Sequence, residues 1–205
     1  MLAALLLALA QDPVTAGDYF PTVAGTTYVY SQQAKETTSL TWTIKAPTEI
    51  DSWQVIPIQT MADSAVVPTT LYYRVASAGV SMFALGSDGH RASDPQPFFE
   101  LGNASGDWTF SGAVSAGDEP TSITIIGKTK RGKPTKALGR TVDTIIVTRD
   151  SVLGNLDSAL RVHQVLIFGK GVGLIEMNET SQIGKRKQSS ILKLVEIRSP
   201  GAATG

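Results

Sequence analysis

The sequence predicts an all-β protein, folded as a curved antiparallel sheet or an open half-barrel of about ten to eleven strands. Three observations predict this fold class. β-branched and aromatic residues recur in short runs, polar and apolar residues alternate within these runs, and turn residues separate the runs at intervals of about 8–12 residues. Helical periodicity is almost absent, and the weak helical pattern that does occur covers residues 151–159.

The predicted strand at residues 40–45 shows the pattern most clearly, because Leu40, Trp42 and Ile44 fall on one face and threonines on the other. Apolar side chains at every second position are typical of a strand buried on one side. The same reasoning predicts further strands at residues 26–33, 52–60, 71–75, 80–85, 107–114, 121–130, 140–149, 159–168, 172–178 and 189–198.

Two segments depart from this pattern. Pro57 lies within the strand predicted at residues 52–60. Because proline has no N–H to donate to a neighbouring strand, we expect this strand to lie at a sheet edge or to contain a bulge. Residues 86–105 are rich in Gly, Asp and Pro and are predicted to form a loop.

The N-terminus carries the pattern of an export signal. Residues 2–10 are an uninterrupted apolar run that ends in Ala8-Leu9-Ala10, the small-x-small form of a cleavage site; a buried N-terminal helix or strand is the alternative. The run is too short to span a bilayer, which takes ~20 apolar residues. We therefore expect a secreted or periplasmic protein.

The length of 205 residues, of which 42% are hydrophobic, suits one domain with its own core. The predicted organisation is a signal peptide at residues 1–10, a short linker at 11–17, a single β domain at 18–198 and a disordered tail at 199–205.

The sequence contains no cysteine. Disulfides, thiolate metal sites and cysteine nucleophiles are therefore excluded, and an exported protein of this kind is more typical of bacteria than of the animal secretory pathway. No cysteine follows the apolar run, so we expect a protein that is not lipid-anchored and, in its mature form, not transmembrane.

Charge is balanced overall but divided along the chain. Residues 1–120 hold 4 basic and 12 acidic side chains, a net charge of −8, and residues 121–205 hold 14 basic and 6 acidic, a net charge of +8. Because consecutive antiparallel strands stay neighbours in space, this division favours an acidic face and a basic face; interleaved strands whose charges cancel are the alternative.

Basic residues are concentrated in two clusters, Lys128, Lys130, Arg131, Lys133 and Lys136 in one, and Lys185, Arg186 and Lys187 in the other. Both adjoin glycines and are expected at hairpin tips. They are candidates for binding an anionic lipid, a polysaccharide or an acidic protein surface; solvated loop charge is the alternative. A nucleic-acid partner is not expected, because the protein is predicted to be exported and has no net charge.

Few motifs suggest chemistry. Residues 127–133 match the start of a phosphate-binding loop, but Pro134 stands where a metal-binding Ser or Thr is needed and no helix follows. Asp88, His90 and Asp94 could hold a divalent cation, although such a segment is also typical of an ordinary polar turn. Nothing isolates a catalytic carboxylate pair, and no motif predicts a cofactor.

The three tryptophans, Trp42, Trp53 and Trp108, have two interpretations. If they were exposed on the sheet they would form a platform on which a ligand could stack. Their alternation with Thr, Val and Phe instead favours packing in the core.

Several short motifs are similar to those of a family of bacterial exported proteins and lipoproteins of unassigned function. The resemblance covers the chain from Asp18 to about Ile197. The first motif is Asp18-Tyr19-Phe20-Pro21, followed by Gly25 and Tyr28-Val29-Tyr30. The others are Tyr72-Tyr73-Arg74-Val75 with Gly79-Val80, Pro97-Phe98-Phe99 before Asp107-Trp108, and Gly171-Val172-Gly173-Leu174 before Glu176. The resemblance implies an antiparallel half-barrel. The chain departs from the family in lacking the lipobox cysteine and in having Thr22 where Leu is usual.

Taken together, these observations indicate an exported, non-enzymatic β domain that binds a hydrophobic or amphipathic ligand or a partner protein. One alternative is a structural or assembly subunit of a cell-envelope complex, docking through opposed acidic and basic faces. The other is a hydrolase that uses carboxylates.

Overall fold

The fold is all-β, as the alternating pattern predicts. The computed structural model describes residues 14–63, 65–86, 90–101, 105–115, 120–154 and 159–201. Within these ranges there is a short 3-10 helix, Ala16–Asp18, and fifteen strands. The first eight strands are β1 (Thr27–Gln33), β2 (Thr37–Ile44), β3 (Thr48–Ile50), β4 (Trp53–Ala62), β5 (Thr69–Val75), β6 (Gly79–Leu85), β7 (His90–Glu100) and β8 (Asp107–Ser115). The remaining seven are β9 (Pro120–Arg131), β10 (Thr135–Ala137), β11 (Arg140–Val142), β12 (Thr144–Leu153), β13 (Leu160–Gly169), β14 (Gly173–Ile183) and β15 (Arg186–Arg198).

Thirteen of these strands form one antiparallel sheet that bends into a half-barrel. Its order is β7-β6-β5-β4-β2-β1-β15-β14-β13-β12-β9-β8, with β3 paired to β4 outside this path, and β10 and β11 form a separate hairpin. The first and last strands of the chain pair with each other, Thr27 opposite Arg198. The two sheet ends, β7 and β8, are consecutive in sequence and approach each other, which nearly closes the barrel.

The topology keeps the two charged parts of the chain apart. Strands β1 to β7 lie side by side in one wall, and β9 and β12 to β15 lie side by side in the other, with β8 at the far edge of the second wall. Among the described residues, those from 14 to 101, in the first wall, hold 7 acidic and 4 basic residues, a net charge of −3, and those from 120 to 201, in the second wall, hold 14 basic and 5 acidic, a net charge of +9. Asp107, on β8, lies in the second wall.

The core lies inside the half-barrel. The inward positions of β9 are Ile123, Ile125, Gly127 and Thr129, all buried, and the residues between them are exposed. The same alternation buries Ile145 and Val147 on β12. Burial on one side only is the physical reason that the sequence of these strands alternates.

The chain before β1 plugs one end of the half-barrel. The backbone N–H of Ala16 donates to the Ser77 carbonyl at 2.9 Å, and that of Gly171 donates to the Asp18 carbonyl at 2.7 Å. These bonds hold residues 16–20 across the β5-β6 and β13-β14 turns and place Tyr19 and Phe20 in the core, 4% and 3% exposed. We call this end of the half-barrel the plugged end. The opposite end, at the β1-β2 and β14-β15 turns, is called the open end.

Three details differ from the sequence-based prediction. Residues 86–105 were expected to be a loop, but β7 occupies residues 90–100, and its prolines are tolerated because β7 is an edge strand. At Pro57 the expected edge is wrong, because β4 is an interior strand, but its pairing is irregular there: the four steps from Ile44 to Thr48 oppose the three from Ile58 to Val55, one extra residue on the partner side. The weak helical pattern at 151–159 begins as the last residues of β12, and residues 155–158 lie outside the described part of the chain.

The strand count is higher than predicted. The difference comes from β7 and from the three-residue strands β3, β10 and β11, which are too short to show a period of two in the sequence. The predicted signal peptide and most of the predicted tail fall at residues 1–13 and 202–205, outside the described residues.

Candidate functional site

An aromatic cluster fills the interior next to the plugged end. The Phe20 ring lies 5.1 Å from Tyr73 and 6.1 Å from Phe98, and Phe168 lies 5.7 Å from Phe98 and 4.8 Å from Phe99, measured between ring centroids. The tilted and edge-on arrangements are those that aromatic pairs favour. The apolar part of the interior is thus occupied by the protein's own side chains.

A polar belt crosses the interior on the open side of this cluster. Arg149, Gln164 and Glu179 are opposite one another on β12, β13 and β14, all at inward positions. The Gln164 amide donates to a Glu179 carboxylate oxygen over 2.7 Å (Nε2 to Oε2). We call these three residues the polar belt.

Arg149 is the unusual member of the belt. Its guanidinium carbon lies 5.8 Å from the centre of the Phe98 ring, and Nη1 donates to the Phe98 carbonyl at the long distance of 3.5 Å. Its Nε is buried and has no hydrogen-bond partner within the described chain. Burial lowers the pKa of Arg149 to about 10, against the opposing influence of Tyr73 and Glu179, so the group remains charged at neutral pH.

Two buried tyrosines, Tyr73 and Tyr30, lie in the same core, and Tyr73 is the one that interacts with the Arg149 charge. The hydroxyl of Tyr30 is a second buried group that finds no hydrogen-bond partner among the residues described. Burial raises the pKa of Tyr30 well above its usual value, and nearby Tyr28 and Tyr73 add to the effect. Burial also raises the pKa of Tyr73, while the positive charge of Arg149 acts in the opposite direction and lowers it. Tyr73 therefore interacts electrostatically with both Tyr30 and Arg149.

An open groove of about 740 Å³ lies at the open end, beyond the belt. Its walls come from the β1-β2 turn region and from β14 and β15, and they consist mostly of hydroxyl, amide and charged side chains: Gln32, Ala34, Lys35, Glu36, Thr38, Glu179, Ser181, Lys187, Gln188, Ser189 and Ser190. Glu179 belongs both to the groove and to the belt, so the two are continuous. The interior thus changes from aromatic to polar along the barrel axis.

The predicted cation site is not assembled by the residues that can be described. Asp94 is exposed on β7, and its Oδ2 accepts the backbone N–H of Ala113 on β8 at 3.1 Å. His90 begins β7, but its side chain and all of Asp88 lie outside the described residues. No group of three or more metal-binding side chains occurs in the described part of the chain.

The tryptophans do not share a surface. Trp42 and Trp108 are buried, the first 5.1 Å from the Tyr30 ring and the second donating from Nε1 to the Thr129 hydroxyl at 3.2 Å. Trp53 is 42% exposed, with the Arg74 guanidinium 3.5 Å above its ring. Two of the three therefore pack in the core, and the third is paired with a cation on the outside.

The two basic clusters lie at opposite ends of the half-barrel. Lys128 to Lys136 run along β9 toward the plugged end, where Lys128 forms an exposed ion pair with Asp107 at 2.9 Å. Lys185, Arg186 and Lys187 are exposed at the β14-β15 turn of the open end, and Lys187 lines the groove. The structure does not bring the clusters together into one binding patch.

Sequence reasoning missed Arg149 as a functional residue. A signal was present in the sequence, because Arg149 occupies an inward position of β12. The inward positions of this strand are Ile145, Val147, Arg149, Ser151 and Leu153. A charged residue is rarely buried without a reason. An arginine at an inward position of an alternating strand therefore indicates a candidate binding site.

The geometry defines a class of protein: a β half-barrel with a plugged apolar end and an open polar end. No family model and no curated protein matches the sequence. The fold is similar to that of an inferred exported protein with a YmcC-like fold from Bacteroides fragilis, with 11% identity and a TM-score of 0.54 over 88% of this chain and 99% of that one. It is also similar to an inferred lipoprotein from Parabacteroides distasonis, with 13% identity and a TM-score of 0.54 over 92% of this chain and 100% of that one.

At this level of identity the similarity establishes the fold, which is the half-barrel that the sequence motifs imply. Within the described ranges, no helix is long and apolar enough to cross a membrane.

Proposed function

We propose that the chain is an exported, non-enzymatic binding module that takes an amphipathic ligand at the open end of its half-barrel. The observation that carries the proposal is the groove of about 740 Å³. One of the side chains that line it, Glu179, also belongs to the polar belt inside the barrel, where it accepts a hydrogen bond from Gln164. Ligand sites are typically concave and contain a few polar groups placed against apolar walls.

The filling of the interior favours an amphipathic ligand over a purely hydrophobic one. Phe20, Phe98 and Phe168 already pack against one another near the plugged end. The groove remains open, and its walls include Glu179 of the belt. A ligand with both a polar and an apolar part matches this gradient.

Export is supported by two independent observations. Residues 2–10 have the composition of a signal peptide. The two solved proteins of similar fold are an inferred exported protein and an inferred lipoprotein. A secreted or periplasmic location follows from the proposal, and fractionation of cells that produce the full chain tests it.

Binding is best tested with ligands that share one octyl chain and differ in their head group. Octyl glucoside, octyl phosphate and octyltrimethylammonium are titrated calorimetrically below their micelle concentrations. We expect at least one to bind, and a groove-filling variant, Ser190→Trp, to weaken its binding at least about tenfold, about 1.4 kcal/mol. Thr124→Trp, on the exposed outer face of β9, is the matched control. Failure of all three ligands to bind, or equal binding by both variants, contradicts the proposal.

A second function is favoured by the charge division between the walls. A wall of β1 to β7 with a net charge of −3 beside a wall of β9 and β12 to β15 with a net charge of +9, counted over the described residues, suits docking onto an envelope complex. Such an association weakens as salt rises above the physiological range, because exposed charges are screened within about 8 Å at 0.15 M. Size-exclusion chromatography across a salt series measures it, and a salt-independent association contradicts it.

A further inference from the structure

We propose that Arg149 recognises an anionic group on the ligand, a phosphate or carboxylate that reaches the polar belt from the groove. This inference rests on the proposed function, since it assigns the chemistry of the ligand's head group. It concerns a residue inside the barrel rather than the exposed basic clusters.

The first argument is the position of the charge. Arg149 points into the barrel from β12, with the Phe98 ring 5.8 Å from its guanidinium carbon. It forms no ion pair with any other described residue. Glu179 interacts with this charge electrostatically but does not form a direct ion pair with it. A largely buried charge without a direct counter-ion is costly, and ligand sites are one place where such a charge is found.

The second argument is hydrogen bonding. Nε of Arg149 and the hydroxyl of Tyr30 are both buried, and neither finds a partner in the described part of the protein. Nη1 has only the Phe98 carbonyl, at 3.5 Å. The guanidinium therefore has donors to offer, and a planar fork of N–H groups matches the two oxygens of a carboxylate or phosphate.

Glu179 sets the affinity of such a site. Its carboxylate lines the groove and accepts from Gln164 at 2.7 Å, and Gln164 lies opposite Arg149 on the neighbouring strand, so Glu179 lies on the groove side of Arg149. It also interacts favourably with the Arg149 charge. An anion approaching Arg149 is repelled by Glu179, which predicts that removal of the Glu179 charge strengthens binding.

The competing explanation is that Arg149 is a structural clasp. It reaches from β12 to the Phe98 carbonyl on β7, and β7 is one of the two strands that meet at the barrel's gap. Stability distinguishes the two roles. If Arg149 serves a ligand, Arg149→Met leaves stability unchanged or raises it, because an unpaired charge is replaced by an apolar chain of similar length. If it is a clasp, the same substitution destabilises the fold.

The experiment compares octyl glucoside, octyl phosphate and nonanoate, which carries a carboxylate on the same octyl chain, on four proteins: the parent, Arg149→Met, Arg149→Lys and Glu179→Gln. We expect the parent to bind octyl phosphate and nonanoate at least about tenfold more tightly than octyl glucoside. Arg149→Met removes this preference, so that the anionic ligands bind no more tightly than octyl glucoside does to the same variant. Arg149→Lys keeps part of the preference, and Glu179→Gln increases it by about threefold to tenfold.

Each outcome decides between the claims. If octyl glucoside binds as well as the anionic ligands, the proposed function stands and the assignment of Arg149 is overturned. If no ligand binds, the proposed function fails as well. A preference for anions that persists in Arg149→Met, or that falls in Glu179→Gln, overturns the inference. So does an Arg149→Met protein that unfolds at lower urea concentration than the parent or does not fold, because that result assigns Arg149 to the clasp.

Discussion

Asp94 accepts the backbone N–H of Ala113 across the gap between β7 and β8, with 3.1 Å from Oδ2 to nitrogen. The two strands are the ends of the sheet, and no backbone ladder joins them within the described residues. A Cβ on Gly112 would lie 2.8 Å from the same Asp94 oxygen, so the absence of a side chain there allows the carboxylate to approach. The half-barrel is therefore held nearly closed at this point by one side chain.

Removing this carboxylate should loosen the gap. We expect Asp94→Ala to lower the free energy of unfolding by about 0.5–1.5 kcal/mol, the usual contribution of one hydrogen bond. The same change should speed hydrogen exchange at the Ala113 amide, because that N–H loses its acceptor. Urea denaturation and amide exchange measure the two effects.

Glu49→Ala is the control for Asp94→Ala, because Glu49 is an exposed carboxylate on the short outer strand β3. It should change the free energy of unfolding by no more than about 0.5 kcal/mol, and it should leave hydrogen exchange at the Ala113 amide as it is in the parent. Unaltered exchange at Ala113 in Asp94→Ala would show that the bond does not hold the gap.

Gly127 is required because the Trp108 ring lies directly over it. A Cβ built at Gly127 would overlap three atoms of the indole ring, and the ring cannot move away freely because its Nε1 donates to Thr129. We expect Gly127→Ala to destabilise the protein by about 1–3 kcal/mol, as overpacking does. A shift in Trp108 fluorescence should accompany the loss of stability.

Gly17→Ala is the matched control for this substitution. A Cβ at Gly17 would meet only ordinary contacts at 3.8 Å, and this glycine does not have a positive φ. Its substitution should leave stability within about 0.5 kcal/mol of the parent. If the two alanine variants were equally stable, the packing of Trp108 on Gly127 would be refuted.

The sequence predicted the features that depend on local periodicity. Leu40, Trp42 and Ile44 alternate on β2, and the structure places them on the inward face, Trp42 and Ile44 fully buried. The fold class was predictable for this reason, since a buried face imposes a period of two.

Features that depend on distant strands were not predictable. Pro57 indicated an edge or a bulge, but β4 is interior because β5 pairs with one side of it and β2 and β3 with the other, and the pairing changes from β3 to β2 at the proline. The polar belt was missed because Arg149, Gln164 and Glu179 are separated by many residues and meet only through strand register. No local pattern reports which inward positions of neighbouring strands face one another.

Phe20 anchors the plug of the half-barrel, so its loss should be costly. Phe20 is 3% exposed and contacts the Tyr73 and Phe98 rings. We expect Phe20→Ala to destabilise the fold by about 3–5 kcal/mol, the cost of leaving a large cavity in a core. Val23→Ala, at a nearby position that is 62% exposed, is the control and should be nearly neutral in thermal unfolding. A small effect at Phe20 would mean that the segment before β1 does not seal the barrel.

The buried tyrosines make the protein sensitive to alkali. Burial raises the pKa of Tyr30 and of Tyr73 above their usual value, so the folded state keeps phenol protons that the unfolded state releases above about pH 10. Their contribution to stability is thus complete below about pH 10 and is lost as the pH rises beyond it. We expect the free energy of unfolding to fall with increasing steepness above about pH 10, approaching about 1.4 kcal/mol per pH unit for each tyrosine.

Tyr30→Phe isolates one of these contributions, because the difference between variant and parent at each pH removes the effects of Arg149 and of the other tyrosines. At neutral pH the variant should be equally stable or more stable by about 1 kcal/mol, since the lost hydroxyl has no partner among the described residues. Above about pH 10 its stability should fall less steeply than that of the parent. Urea unfolding at several pH values measures both slopes, and parallel curves would show that Tyr30 ionises in the folded barrel as readily as in the unfolded chain.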